Sequence, residues 1–347
     1  MPALARLRRK GPNAVPIPPA VSQTSSDHAV NVKAIIARFI PPEKRLMLAV
    51  RLLPRRYREP LRPIIRRCAC PQADRRSGTG GASQYDLRRV AHILEKGLCH
   101  PAWTPGHSGS TARELEALLQ RLPEHGPGAD PSVSWARSVL AEYHDAQRTG
   151  GTARNAEPCP DPGSDFIDPL IRLLRSRRSI RNYRDRRVDD DVLAGVLGLI
   201  NWCPTSCNRQ PARVYAVRSP AMVAAVMGRF AGSNGFSANV PCALVFCADM
   251  RAYAMPMEMF LPGIDVALGI QNCALVAHAR GLSLTLMSWA HHSDADDKGL
   301  RGDLGIPEWE QILVGGLLGY PAASMPAPGR KPASDTVTVV DQIPSRS

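Results

Sequence analysis

In the second half of the chain, short runs of apolar residues alternate with longer stretches whose apolar positions recur at helical spacing. The longer stretches predict helices over Pro169–Ser176, Asp190–Trp202, Pro220–Arg229, Ile264–Arg280 and Asp296–Leu304. Ser219 and Pro220 suit the cap and first residue of the third helix. The short runs predict strands over Arg213–Val217, Ala243–Ala248, Leu284–Ser288 and Ile312–Leu317. Ile264–Arg280 is apolar on more than one face, which places it against a sheet along much of its length. Helices and short strands in this order give an α/β or α+β layer.

The first half is patterned differently. Residues 1–30, rich in Pro, Ser and Arg, carry no period and are expected to be a disordered basic tail. From Val32 to Arg67, clusters such as Ile35-Ile36 and Leu46-Met47 are interleaved with arginines and broken by Pro41, Pro42, Pro54 and Pro63. They predict short basic amphipathic helices, suited to a membrane surface, a partner protein or the rest of the chain. After a Gly/Ser stretch at 75–83, helices are expected over Tyr85–Gly97, Thr111–Leu122 and Trp135–Gln147, with Gly97 as a C-terminal cap. His92 and Glu95, three apart, share a face of the first. Four segments result: a tail (1–30), a helical accessory region (31–148), a Gly/Pro/Asp-rich linker (149–165) and a second domain (166–347).

Charge sharpens this division. Of a net charge of +13, residues 1–70 hold +12, from 15 Lys and Arg against three Asp and Glu. No nucleic-acid recognition module or interleaved aromatic platform accompanies them, so nucleic acid is not an expected partner. No run of apolar residues is long enough to span a membrane, and no apolar segment follows the first arginines as in a secretory signal; an Arg-rich, acid-poor start also fits a transit peptide. Nine cysteines, several in apolar runs, read as buried thiols of a reducing cytoplasm. Cys68-x-Cys70 and Cys203-x3-Cys207 lack matching partners for a zinc site, so no metal is expected. His291-His292 before Asp294 invites a catalytic reading, but a helix N-terminus capped by Asp294 accounts for the acid. G-x-G-x-x-G after a strand, G-x-S-x-G and H-E-x-x-H are all missing.

The candidate chemistry lies between Leu173 and Pro211. Arg177, Arg178, Ser179 and Arg181 place three guanidiniums and a hydroxyl within five residues, a set that suits a phosphate monoester. Further along, Pro204-Thr205-Ser206-Cys207-Asn208-Arg209-Gln210-Pro211 offers neutral groups able to hydrogen-bond a polar ring edge or polyol. A solvated charge run followed by an ordinary loop accounts for the same residues.

Arg-Arg-Ser-x-Arg, a helix, and Pro-Thr-Ser-x-Asn-x-Gln-Pro together resemble the start of the FMN-dependent nitroreductase family. Asp265–Trp289, with Gln271–Leu282 at its centre, and Val314–Pro321 followed by Gly329-Arg330-Lys331 fit in order. The resemblance covers residues 166–340, and a patch at His92–Leu98 is similar to an extension found in a subgroup associated with polysaccharide synthesis. It implies an α+β, three-layer sandwich with a mixed, mainly antiparallel sheet, forming an intertwined homodimer with FMN at the interface. It also implies electron transfer from NADH or NADPH to a small-molecule acceptor, a nitroaromatic, a quinone or another metabolite, by ping-pong hydride transfer. Arg177, Arg178, Ser179, Arg330 and Lys331 would surround the phosphate, and Arg181 the polar ring edge. Pro204, Thr205, Ser206 and Asn208 would arrive from the other subunit, and Gln210 would join the cofactor site. Two departures stand out: Ala212 occupies a position that is often Trp, and the loop that gives a backbone N–H to the flavin aligns only loosely, near Met287–Ala290. The alternative is a flavin-binding scaffold subunit whose basic N-terminal half docks to a membrane or protein complex.

Overall fold

The computed structural model describes residues 81–122, 131–151, 161–233, 236, 239–253, 256–290 and 292–340. The expected tail and the basic helices of residues 31–67 lie outside them.

Three helices come first: α1 (Gly81–Leu98), α2 (Gly109–Leu119) and α3 (Pro131–Thr149). Leu87, Val90, Leu94 and Leu98 recur along one stripe of α1 and are fully buried against Leu115 of α2 and Val139 of α3. Full burial of each such side chain contributes about 1.5–3 kcal/mol, so this cluster has a core of its own. Gly97 is not a cap. It lies inside α1, where a Cβ would stand 2.4 Å from Ser108 Oγ, so its missing side chain admits the α1–α2 turn.

The second half contains α4 (Ile167–Ser176), α5 (Asp190–Leu197), β1 (Ala212–Val217), α6 (Pro220–Arg229), β2 (Cys242–Asp249), α7 (Leu261–Ala279), β3 (Ser283–Ser288), α8 (Asp294–Leu304) and β4 (Glu310–Gly319). The strands form one sheet in the order β1-β2-β4-β3, and every pairing among the described residues is antiparallel. β2 is central and wholly buried. Its alternate side chains divide between two layers, as a period of two requires. Leu244, Phe246 and Ala248 pack with Val266 and Ile270 of α7, while Ala243, Val245 and Cys247 pack with Val226 of α6 and Leu300 of α8. The result is helix–sheet–helix, an α+β sandwich of three layers.

Local chemistry sets the ends of these elements. Ser219 caps α6 through a bond from the Met222 N–H, with Pro220 in the first turn. α8 begins with a capping box, in which Ser293 and Asp296 each accept from the other's backbone N–H, and ends at Gly305 with φ 66°. The cap is therefore Ser293, not Asp294. His292 stacks on Trp289 with ring centroids 4.3 Å apart, and His291 lies outside the described residues. The helix expected to reach Trp202 stops at Leu197 and tightens into a 3₁₀ turn, Gly198–Asn201. α7 presses on that turn so closely that a Cβ on Gly269 would meet the Ile200 carbonyl oxygen at 2.2 Å.

Candidate functional site

α7 organises both candidate groups. Near its C-terminal end, His278 Nε2 lies 2.7 Å from Ser176 Oγ, the last residue of α4. The chain then leaves α4 at Arg177 in extended conformation and runs beside β3. Ser283 Oγ donates to the Arg178 carbonyl (3.2 Å) and Thr285 Oγ1 to the Ile180 carbonyl (2.8 Å). Tyr183, 2% exposed, is anchored by its hydroxyl donating to Leu317 O of β4.

This segment walls an open cavity of about 460 Å³, with Arg178, Arg184, His278, Ser176, Ser324 and Met325 among its lining residues and no carboxylate. Arg178 Nη1 donates to the carbonyls of Arg175 and Arg177, while its Nε is buried without a partner. Arg184 Nε donates to Pro321 O. Among the described residues no carboxylate pairs with Arg177, Arg178, Arg181 or Arg184. Burial, then the Arg177 and Arg178 charges, hold the His278 imidazole below its ordinary pKa. A concave site with uncompensated cations attracts an anion. A second cavity of about 900 Å³, on the α6 side, differs in charge: its Arg187 and Arg218 are both paired with Asp190.

The other group sits at the opposite end of α7. Asp265, 3% exposed, accepts from the Ser206 N–H (3.0 Å), Ser206 Oγ (2.9 Å) and the Tyr253 hydroxyl (2.9 Å). Burial and then the Asp265 charge push the Tyr253 phenol well above its ordinary range. Gln210 N–H donates to Thr205 Oγ1 and Gln210 Nε2 to Asn208 Oδ1. Cys207, Asn208 and Gln210 all have φ between 51° and 53°. Left-handed backbone at non-glycine residues costs on the order of 1 kcal/mol each, so other contacts hold the turn.

Pro204, Thr205, Ser206, Asn208 and Gln210 are thus gathered in one loop, and Arg177, Arg178 and Ser179 follow one another, half-buried, at the other end of α7. Arg181, Arg330 and Lys331 are exposed, and Arg330 Nη1 donates to the Gly329 carbonyl. One chain does not bring the two groups together. Asp265 and His278 are thirteen residues apart on α7, which is roughly 20 Å of helix. The sequence reading missed Ser176, Arg184 and His278, whose types match the cavity but whose spacing follows no motif.

The second half of the chain is thus a three-layer α+β sandwich with a basic segment near one end of its long helix and a polar turn near the other. Residues 174–232 match the family model described as "Nitroreductase family". An Archaeoglobus fulgidus protein, provisionally named NADH dehydrogenase/NAD(P)H nitroreductase, is 28% identical over 45% of this chain and 87% of its own length. The nitrobenzene nitroreductase of Ectopseudomonas oleovorans is 25% identical over 48% of this chain and 91% of its own. A solved FMN-dependent nitroreductase from Clostridium difficile, 22% identical, superposes with a TM-score of 0.42, covering 50% of this chain and 99% of that one.

Among the described residues no helix is long and apolar enough to cross a membrane, and no cluster of three metal-ligating side chains occurs.

Proposed function

We propose that this protein is an FMN-dependent oxidoreductase that takes electrons from NADH or NADPH and passes them to a small acceptor such as a nitroaromatic or a quinone. The observation that carries the reading is the set of uncompensated guanidiniums on the segment Arg177–Arg184. Those residues fit a phosphate monoester: Arg178 keeps a buried, unpartnered Nε–H, and no carboxylate competes for the anion. When bound, FMN would supply hydride acceptance and donation, with donor and acceptor using the site in turn. Arg177, Arg178 and Ser179 hold the phosphate, joined by Arg330 and Lys331 from the exposed C-terminal segment. Arg181 supplies positive charge beside the polar ring edge. Relatives named FMN reductase and NADPH-flavin oxidoreductase support the same assignment.

The site is completed in a homodimer. The 20 Å between the two groups, a rough length from the helical rise, is spanned when a second copy supplies the Pro204–Gln210 loop, and a two-fold axis makes two equal sites. Apolar side chains left open near the loop and along α7 and α4 support this: Trp202 is 80% exposed, Phe260 72%, Ile264 53% and Phe166 56%. We place the dimer in the cytoplasm, a reading with which the buried free thiols of Cys242, Cys247 and Cys273 agree.

The purified protein, reconstituted with FMN, should be yellow and scatter light as twice the 37.7 kDa chain. Arg177→Ala should raise the FMN dissociation constant by about ten-fold through loss of a charge-assisted contact. Failure to take up FMN would remove the flavin reading, whereas a flavin-loaded monomer would remove the shared site alone.

A further inference from the structure

We infer that α1 of the accessory region braces the Pro204–Gln210 loop, with Tyr85 and Arg88 as positioning residues for that half of the site. The brace rests on contacts in this chain; its consequence for cofactor binding rests on the flavin reading above.

The loop needs bracing because three of its non-glycine residues are left-handed, a backbone that persists only where the surroundings fix it. Asp265 fixes it from the α7 side. From the other side comes α1. Tyr85 and Arg88, three residues apart, share a face, with the Arg88 guanidinium 5.7 Å from the Tyr85 ring centre. That face is not the stripe of Leu87, Val90 and Leu94 that builds the helical core.

Two chains of contact lead from this face to the loop. In one, Tyr85, 3% exposed, donates its hydroxyl to Asp249 Oδ2 (2.9 Å), and the Asp249 N–H donates to the Pro211 carbonyl (2.9 Å), where the loop ends. The Tyr85 ring also packs with Tyr253, whose hydroxyl donates to the Asp265 carboxylate that holds Ser206. In the other, Arg88 donates from Nη1 to the Arg209 carbonyl (3.4 Å), inside the loop, and from Nε to Ser132 Oγ of α3 (2.8 Å). Arg209 is itself 4% exposed, paired with Glu258 at 2.7 Å and lying over the Tyr253 ring. The Arg209 carbonyl and the Ser206 amide belong to the same turn, so a shift of α1 moves the groups that would face the ligand.

Coupling of this kind is reciprocal. Whatever tightens α1 favours the formed loop, and ligand held by the loop tightens α1. A partner docking on the accessory helices would therefore change cofactor affinity without touching the cofactor.

Hydrogen exchange on the full chain tests the brace. Wild type, Tyr85→Phe, Arg88→Ala and Arg88→Lys are compared over residues 204–211 without flavin, and FMN affinity is then titrated. Tyr85→Phe and Arg88→Ala should speed exchange in the loop by about ten-fold while the sheet core stays protected. They should also raise the FMN dissociation constant about three- to ten-fold, with Arg88→Lys nearer wild type. FMN in turn should slow exchange in α1. Wild-type loop exchange in both variants would overturn the brace, as would a uniform rise across the whole domain, which would mark the residues as packing groups only. A wild-type protein that binds no FMN would sink the flavin reading, while the loop comparison would still decide the brace.

Discussion

Asp265→Asn offers a sharp test of how the polar turn is held. The carboxylate accepts three hydrogen bonds at 2.9–3.0 Å, two of them from Ser206, while almost fully buried. Asparagine is the same size but keeps one acceptor oxygen and turns an NH₂ group toward donors. At least one bond to a charged acceptor is lost, and an amide donor then faces the Ser206 or Tyr253 donor. Bonds to charged groups contribute about 1.5–3 kcal/mol each, and a stranded buried donor costs about 1–3 kcal/mol. Relief from burying a charge works the other way. The net expectation is a loss of about 3 kcal/mol. For a domain of 150–250 residues each kcal/mol shifts the melting temperature by about 2–4 °C, so the variant should melt about 6–12 °C lower. Thermal unfolding followed by circular dichroism, with urea unfolding as a check, measures this. A variant that melts within 2 °C of wild type, a margin of about one kcal/mol or less, would refute the reasoning. The turn would then be held from outside α7.

Two further outcomes follow from close contacts. Gly269→Ala should cost about 3 kcal/mol or more, because a backbone oxygen, not a flexible side chain, occupies the Cβ position; urea unfolding reads it. His278 has its pKa lowered by burial and by Arg177 and Arg178, with Ser176 as its hydrogen-bond partner. The unfolded chain therefore binds the proton more readily, so stability should fall as pH drops below the ordinary 6.5 toward the folded value. In His278→Gln that part of the pH dependence should vanish, and a profile unchanged from wild type would show that the imidazole is not held as described.

Much of this fold is legible in the sequence because each layer follows a single period. β2 alternates Leu244, Phe246 and Ala248 with Val245 and Cys247, and both sets are buried because helices cover both faces. Helix ends are less legible. Ser293 and Asp296 form a capping box that a reading centred on Asp294 overlooks, since caps depend on side-chain geometry and not on the residue type alone. Asp190–Trp202 reads as one apolar helix, yet α7 compresses its end into a 3₁₀ turn, an effect of tertiary packing at Gly269 that no local window contains. The site divides in the same way. Its basic segment and polar loop are contiguous in sequence and visible there. His278 and Arg184 reach the cavity only through the path of the chain between α4 and β3, and the left-handed backbone at Cys207, Asn208 and Gln210 carries no glycine to announce it.

Charge balance separates the parts of this molecule that are structural from those that await a ligand. At the junction of α1 with the sheet, two buried carboxylates, Asp249 and Glu310, meet two guanidiniums. Arg251 grips Asp249 with bonds of 2.7–3.2 Å, and Arg213 lies 3.8 Å from both acids. Tyr85 donates to Asp249 Oδ2, which Arg251 also binds, Tyr215 donates to Glu310 Oε2, and burial raises Glu310 above its ordinary range. Such a network adds little net stability over apolar packing, because desolvation offsets attraction, but it fixes which surfaces meet. It is complete within the chain and asks for nothing more. In the α6-side cavity Arg187 and Arg218 both pair with Asp190, and Asp185 in its wall supplies a second negative charge. The cavity beside Arg178 and Arg184, by contrast, combines cations, hydroxyls and an imidazole without an acid among its described walls. Leaving such charges unpaired disfavours the compact state, and a bound anion removes the cost. By that reasoning the 460 Å³ cavity, and not the 900 Å³ one, is the better match to the proposed phosphate site.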